Sequence, residues 1–281
     1  MSDNNGKKQK TSSEDSKEQQ FFDRLDGNDG LIKLILSYLT REDGYEYVKY
    51  LKEGLFKPKN DDTEKAIKEK KDFMNRLDTF LAKCARLYHL IQRYREDFPR
   101  GTPIVCACER GHMADVELFV NLHPYHKYIT NRDANGYRDD MTLKEYVNQV
   151  GKNSYGVEWT PLKAATANEH FQVAKYLIEQ GADPNIVDSN GWNALHWAAG
   201  YNEVDTELIQ LLLNHMSLDN INKISSVGST PQDCVYLLND SPIRQEIIAL
   251  ILAKGGKANC FDANGIFVGV GNGDLNQLLK F

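Results

Sequence analysis

Four segments of this chain open alike and recur in register. They are TPIVCACERGHMADVELFV (102–120), TPLKAATANEHFQVAKYLIEQGADPNIVDSNG (160–191), NALHWAAGYNEVDTELIQLLLNH (193–215) and TPQDCVYLLNDSPIRQEIIALILAKGGKAN (230–259). Asn193 follows Thr160 by 33 residues, and Thr230 follows Asn193 by 37. Thr102 precedes Thr160 by 58, one 33-residue period with 25 residues added. A unit this short cannot bury its own apolar face. It becomes stable only when neighbours stack on it, so the period itself dictates a repeat array.

The residues at fixed places in the period have mechanical roles. Thr-Pro opens a helix, with Thr as the cap and Pro in the first turn. The pairs Ala164-Ala165 and Ala198-Ala199 let first helices approach one another. Leu177, Ile178, Leu211, Leu212, Ile248 and Leu252 are expected to fill the layer between helix pairs. Gly181 and Gly255 fit the left-handed turn that ends a second helix. Asp188 to Gly191, Asp133 to Gly136 and Asp262 to Gly265 read as tight turns at the tips of hairpin fingers.

The pattern resembles the ankyrin repeat, with its period of about 33 residues and T-P-L-H-x-A core. The resemblance covers roughly residues 100–265. It implies an all-α solenoid of helix-turn-helix repeats with finger loops. Asn193 and Ala194 stand where Thr and Pro are usual, and Gln232 and Asp233 replace Leu and His, which marks the fourth repeat as divergent. His196 holds the T-P-L-H histidine position, where the resemblance implies a structural hydrogen bond between repeats.

Around this array the chain divides further. Residues 1–20 are polar and expected to be disordered. Residues 21–98 read as a helical capping region, with an apolar stripe Phe73, Leu77, Phe80, Cys84, Leu87, Ile91 and Tyr94 at alternating intervals of four and three. The repeats occupy 99–265, with an insertion at 138–158 in which TLKEYVNQV (142–150) forms a short helix capped by Thr142. Residues 266–281 read as a partial repeat that covers the end.

Chemistry is sparse. With a net charge of -6 the chain lacks the cationic balance of a general phosphate-backbone binder, so no nucleic acid is expected. Its five cysteines include no CxxC pair, which favours free buried thiols in a reducing compartment over zinc ligands. No secretory signal and no membrane-length apolar run is seen, and the expected location is the cytosol, with the nucleus as the alternative. No phosphate loop, GxSxG or HExxH occurs; GVGNG (269–273) reads as a turn. His123 and His126 lack a completing carboxylate or thiol cluster. No cofactor, no metal and no catalytic residue are assigned.

The expected function follows from the resemblance: a monomeric, non-enzymatic scaffold or adaptor that binds another protein on a concave surface. The outward positions it implies are Glu109, Arg110, Asn135, Tyr137, Trp159, Asn168, Ser189, Asn190, Trp192 and Tyr201. Trp159 and Trp192 are the anchors, because large rigid aromatics carry interface energy. The insertion is expected to overhang the groove beside them. Two alternatives remain. GNDGLIKLILSYLTREDG (27–44) resembles the F-box in its I-L-S-Y-L core, without the Leu-Pro opening, and implies a ubiquitin-ligase adaptor. The other is an enzyme with repeats for substrate capture, for which residues 21–98 offer no paired acid and base. Asn185 also resembles the finger asparagine that asparaginyl hydroxylases modify.

Overall fold

The computed structural model describes residues 64–123, 141–200, 204–262 and 264–269. The chain divides into two compact units, 1–88 with 125–134, and 89–124 with 135–281. The long helix α1 (Glu64–Asp97) runs through the boundary. In the first unit its stripe residues Leu77, Phe80, Cys84 and Leu87 are buried, as their spacing predicts. The expected disordered tail, the part of the expected capping region before residue 64 and the F-box-like stretch lie outside the described residues, as do 270–281.

The second unit is a stack of helix pairs. The first helices are α2 (Pro103–Glu109), α5 (Pro161–Thr166), α7 (Ala194–Ala199) and α10 (Pro231–Tyr236). Their partners are α3 (Met113–Asn121), α6 (Phe171–Glu179), α8 (Thr206–His215) and α11 (Pro242–Ala253). First helices pack on first helices and second helices on second helices, in sequence order. This is the all-α solenoid expected from the period. Ala164, Ala165, Ala198 and Ala199 are buried where neighbouring first helices meet, and nothing larger than a methyl occupies those places. Leu177, Ile178, Leu212, Ile247, Ile248 and Ile251 fill the next layer. Leu252, expected there, is 52% exposed, because α11 turns Ile247 and Ile251 inward instead.

The caps work as their residue types require. The hydroxyls of Thr160 and Thr230 accept from the backbone N–H groups of Lys163 and Asp233. Asn193 substitutes for Thr by accepting from Leu195 and His196. The Thr102 hydroxyl does not cap its helix; it accepts from Lys152 N at 2.8 Å. On the same side, the last turns of α1 close the first repeat. Ile91 and Tyr94 are buried, and the Tyr94 ring meets Phe119 edge-on at 5.8 Å.

Two features recur beyond the helices. The first is a finger tip. At Gly156, Gly191, Gly228 and Gly265 the backbone N–H donates to the carbonyl three residues earlier, 2.9 Å each time, and φ is positive. The first of these tips, Asn153 to Gly156, lies on a hairpin whose strands β1 (Gly151–Lys152) and β2 (Glu158–Trp159) pair antiparallel. The second feature is an asparagine ladder. Asn148 donates to Gly181 O and accepts from Asp183 N; Asn185 donates to His215 O and accepts from Ser217 N; Asn222 donates to Gly255 O. Each rung ties one turn to the next repeat.

Tip and ladder together place the described part of 138–158 within the array itself. It supplies helix α4 (Leu143–Val147), a ladder asparagine and a finger, and α4 packs on α3. The expected capping by Thr142 is present as a full capping box with Glu145. Asp133 to Gly136 lies outside the described residues, so the finger leading into Thr160 is Asn153 to Gly156. The short helix α9 (Leu218–Ile221) stands in the corresponding place one repeat pair later, before Asn222.

Replacing Asn185 by Ala leaves Ser217 N–H and His215 C=O without that partner. The expected cost is about 1–3 kcal/mol, read as a lower urea midpoint at unchanged slope.

Candidate functional site

The T-P-L-H position is held by a different side chain in each repeat, and three of the four reach toward the next finger. His196 is completely buried; its Nε2–H donates to Ser229 O, and its Nδ1 accepts from Asn193 N at 3.2 Å. Burial holds its pKa down at about 4. Asp233 is equally buried and accepts from Thr230, Asn259 and Cys260 backbone N–H groups. Lys163 is ion-paired with Asp188, whose other oxygen accepts from Asn190 N and Trp192 N. Burial lowers the Lys163 pKa against the pull of that carboxylate. The fourth occupant, Val105, is simply core.

Lys163 also sits among indoles. Its ammonium lies 4.8 Å from the Trp159 ring centroid and 5.5 Å from that of Trp197. Trp197 in turn lies 6.4 Å from Trp159 and 4.9 Å from Trp192. The three tryptophans and Lys163 form one cluster spanning two fingers and two first helices. Trp192, expected outward, is only 7% exposed. Its ring is covered by Trp197 and His196, the latter at 5.3 Å. Trp159 is half-buried at the outer margin.

The other expected site residues separate clearly. Ser189 and Asn190 are exposed at a tip, and Arg110 is exposed with its guanidinium 4.7 Å from the Phe98 ring. Glu109, expected outward, is buried and accepts from Ser154 N at 2.9 Å. Asn168 is half-exposed and caps its own helix by donating to Ala164 O. Asn185 is half-exposed with its amide engaged in the ladder. Asn135, Tyr137 and Tyr201 lie outside the described residues.

Sequence reading missed the exposed apolar residues of the fingers. Tyr155 is 81% exposed at a tip, Ile224 is 53% exposed, and Val150, Val157, Val187, Ile266 and Val268 are exposed as well. The signal was available for Tyr155: N-S-Y-G (153–156) repeats the form of D-S-N-G (188–191). The thiols offer no reactive group. All five cysteines are free and buried, and burial pushes Cys84, Cys106 and Cys260 up to about 12. No trio of metal-ligating side chains is gathered among the described residues. His123 is buried and donates to Met141 O; His126 lies outside the described residues. No described helix is long and apolar enough to cross a membrane.

The sequence matches the family described as ankyrin repeats (three copies) over 82–188, 134–225 and 162–263. The chain belongs to the ankyrin repeat family. Among similar ankyrin proteins, it is 27% identical over 146 residues to the ankyrin repeat and SAM domain-containing protein 6 of Mus musculus, covering 49% of this chain and 14% of that protein. It is 32% identical over 111 residues to the ankyrin repeat protein nuc-2 of Neurospora crassa, covering 34% and 10%. An ankyrin repeat protein of fowlpox virus is 26% identical over 157 residues, covering 55% and 25%. The chain thus spans a quarter or less of the length of these relatives. Ankyrin repeats are generally protein–protein interaction modules and typically non-enzymatic.

Lys163→Met strands the Asp188 carboxylate, whose side chain is almost fully buried. We expect a loss of about 3 kcal/mol, seen as a lower thermal midpoint, with altered tryptophan emission in the folded state.

His196 gives the pH response its sign. Unfolded, it takes a proton near its ordinary value of 6.5; folded, only near 4. Its contribution is therefore complete above about pH 6.5 and lost as pH falls toward 4, on the order of 3 kcal/mol. Chemical denaturation in steps across that window will show the decline, and His196→Gln will flatten it.

Proposed function

We propose that this chain is a non-enzymatic adaptor that holds a partner protein against its fingers and the adjoining first helices. One observation carries the reading. Of the large apolar residues that are exposed among the described residues, most sit on fingers: Val150, Tyr155, Val157, Val187, Ile224, Ile266 and Val268. Only Ile67, Leu218, Ile243 and Leu252 do not. Each tip is closed by a backbone hydrogen bond, joined by an Asx side chain at three of them and by the Ser225 hydroxyl at the other, and none of these bonds calls for an exposed apolar side chain. Apolar surface concentrated on one structural element, rather than scattered, is the mark of an interface. Half-buried Trp159 and exposed Ser189 and Asn190 belong to the same face. The five free, buried thiols support a reducing compartment, the cytosol or nucleus.

Affinity purification with the intact chain and with a Tyr155→Asp, Val157→Asp variant tests this. Both positions are exposed, so the melting temperature is expected to stay within about 2 °C. A protein retained by the wild type and lost from the variant is the expected result. Identical retention by both would refute the assignment of the face.

A further inference from the structure

The fourth repeat departs from the three before it on the side where a fifth would stack. Val120, Ile178 and Leu213 hold equivalent places on their second helices, and all are buried. Leu252, their equivalent on α11, is 52% exposed, and no described helix pair follows to cover it. The first helix departs as well. Cys108, Thr166 and Ala199 stand six residues after the cap residue and are completely buried; small side chains there let the next first helix approach. Tyr236 holds that place in α10 and is half-buried. Gln232, 3% exposed, stands where Ile104, Leu162 and Leu195 put hydrocarbon. Its amide nitrogen reaches Tyr236 Oη at 3.4 Å, and its Oε1 is buried without a partner among the described residues.

These groups lead to the place where the chain leaves the array. The Arg244 guanidinium lies over the Tyr236 ring at 5.6 Å, and that ring meets Phe261 at 5.3 Å. A β-carbon at Gly265 would touch Tyr236 at 3.1 Å and Arg244 at 3.4 Å, so the fourth finger lies directly against both. Arg244 is underused there. Its Nε is buried without a partner among the described residues, and its Nη1 lies 3.8 Å from Asp240, a 78% exposed carboxylate worth little to it. Gly265 is followed two residues later by Phe267, where Gly191 and Gly228 are followed by the caps Asn193 and Thr230. Gly269, Gly271 and Gly273 then oppose helix formation. An ordinary first helix is not encoded here, and Tyr236 fills the space it would need.

The rest of the sequence suits a different covering. Asp274 is the one side-chain carboxylate in 270–281, and Leu275, Leu278 and Leu279 share a side at helical spacing. Twelve residues reach about 40 Å when extended, against about 18 Å for the length of α11. We propose that residues 270–281 fold back over the open end of the fourth repeat. The Asp274 carboxylate accepts from the Arg244 guanidinium, backbone N–H groups of the glycine run donate to Gln232 Oε1, and the three leucines cover Leu252.

The test uses the full chain and two readouts. Leu278→Asp with Leu279→Asp should speed amide hydrogen exchange in 247–254 roughly tenfold or more. Unchanged exchange in α6 (Phe171–Glu179) shows that the array itself stays folded. Arg244→Gln and Asp274→Asn should each lower the thermal midpoint by about 2–4 °C. The double variant should fall no further than either alone, since both remove one contact. Exchange in 247–254 that ignores the leucine variant overturns the proposal. So do fully additive effects of the two charge variants, or no effect of Asp274→Asn. A concentration-dependent dimer in sedimentation that Leu252→Asp abolishes would put a second copy on this end, and would overturn it too.

Discussion

Every layer of this array keeps its apolar face dry only because the next layer is there. Leu177 and Ile178 on one second helix, Leu208 and Leu212 on the next, and Ile247 and Ile251 on the last are buried between layers rather than inside any one of them. Helix propensity contributes little by comparison, for first helices of six or seven residues are far too short to persist alone in water. The alanine pairs set how closely the first helices approach, and the asparagine ladder fixes the register in which they do so. The fingers are then carried outward on turns closed by backbone hydrogen bonds, with some of their apolar side chains packed and others exposed.

Much of this was legible in the amino acids. The period, the Thr-Pro starts and the glycines with positive φ set the helix pairs and their order, because each depends on local backbone chemistry that sequence records directly. The α1 stripe was legible for the same reason. The insertion was harder. Asn153-Ser-Tyr-Gly156 lacks the Asp that marks the other readable tips, and its hairpin reaches Thr160 by four residues after the glycine where Gly191 reaches Asn193 by two. That shift hid a finger inside the insertion. Asn148 gave no signal by itself; its role is set by Gly181 and Asp183, a full repeat downstream.

The site was legible only in part. Trp192 follows a tip glycine, where an outward aromatic is a fair expectation. Burial there depends on Trp197, which arrives from the next helix and is indifferent to the repeat pattern. Glu109 was similarly drawn inward by Ser154 N, a contact across 45 residues. Side-chain orientation at such places is decided by neighbours distant in sequence, whereas caps and tips are decided by residues three or four apart.

The occupants of the T-P-L-H position carry one more consequence. Lys163, His196 and Asp233 make their joints with a cation, a neutral ring and an anion. A rod whose couplings differ in kind has no single weakest point. Alkali discharges the first joint and mild acid burdens the second, while the third is held by backbone N–H groups donated to a buried carboxylate. The order in which layers part is therefore chosen by the medium rather than by distance from an end, and local opening can begin in the middle of the array.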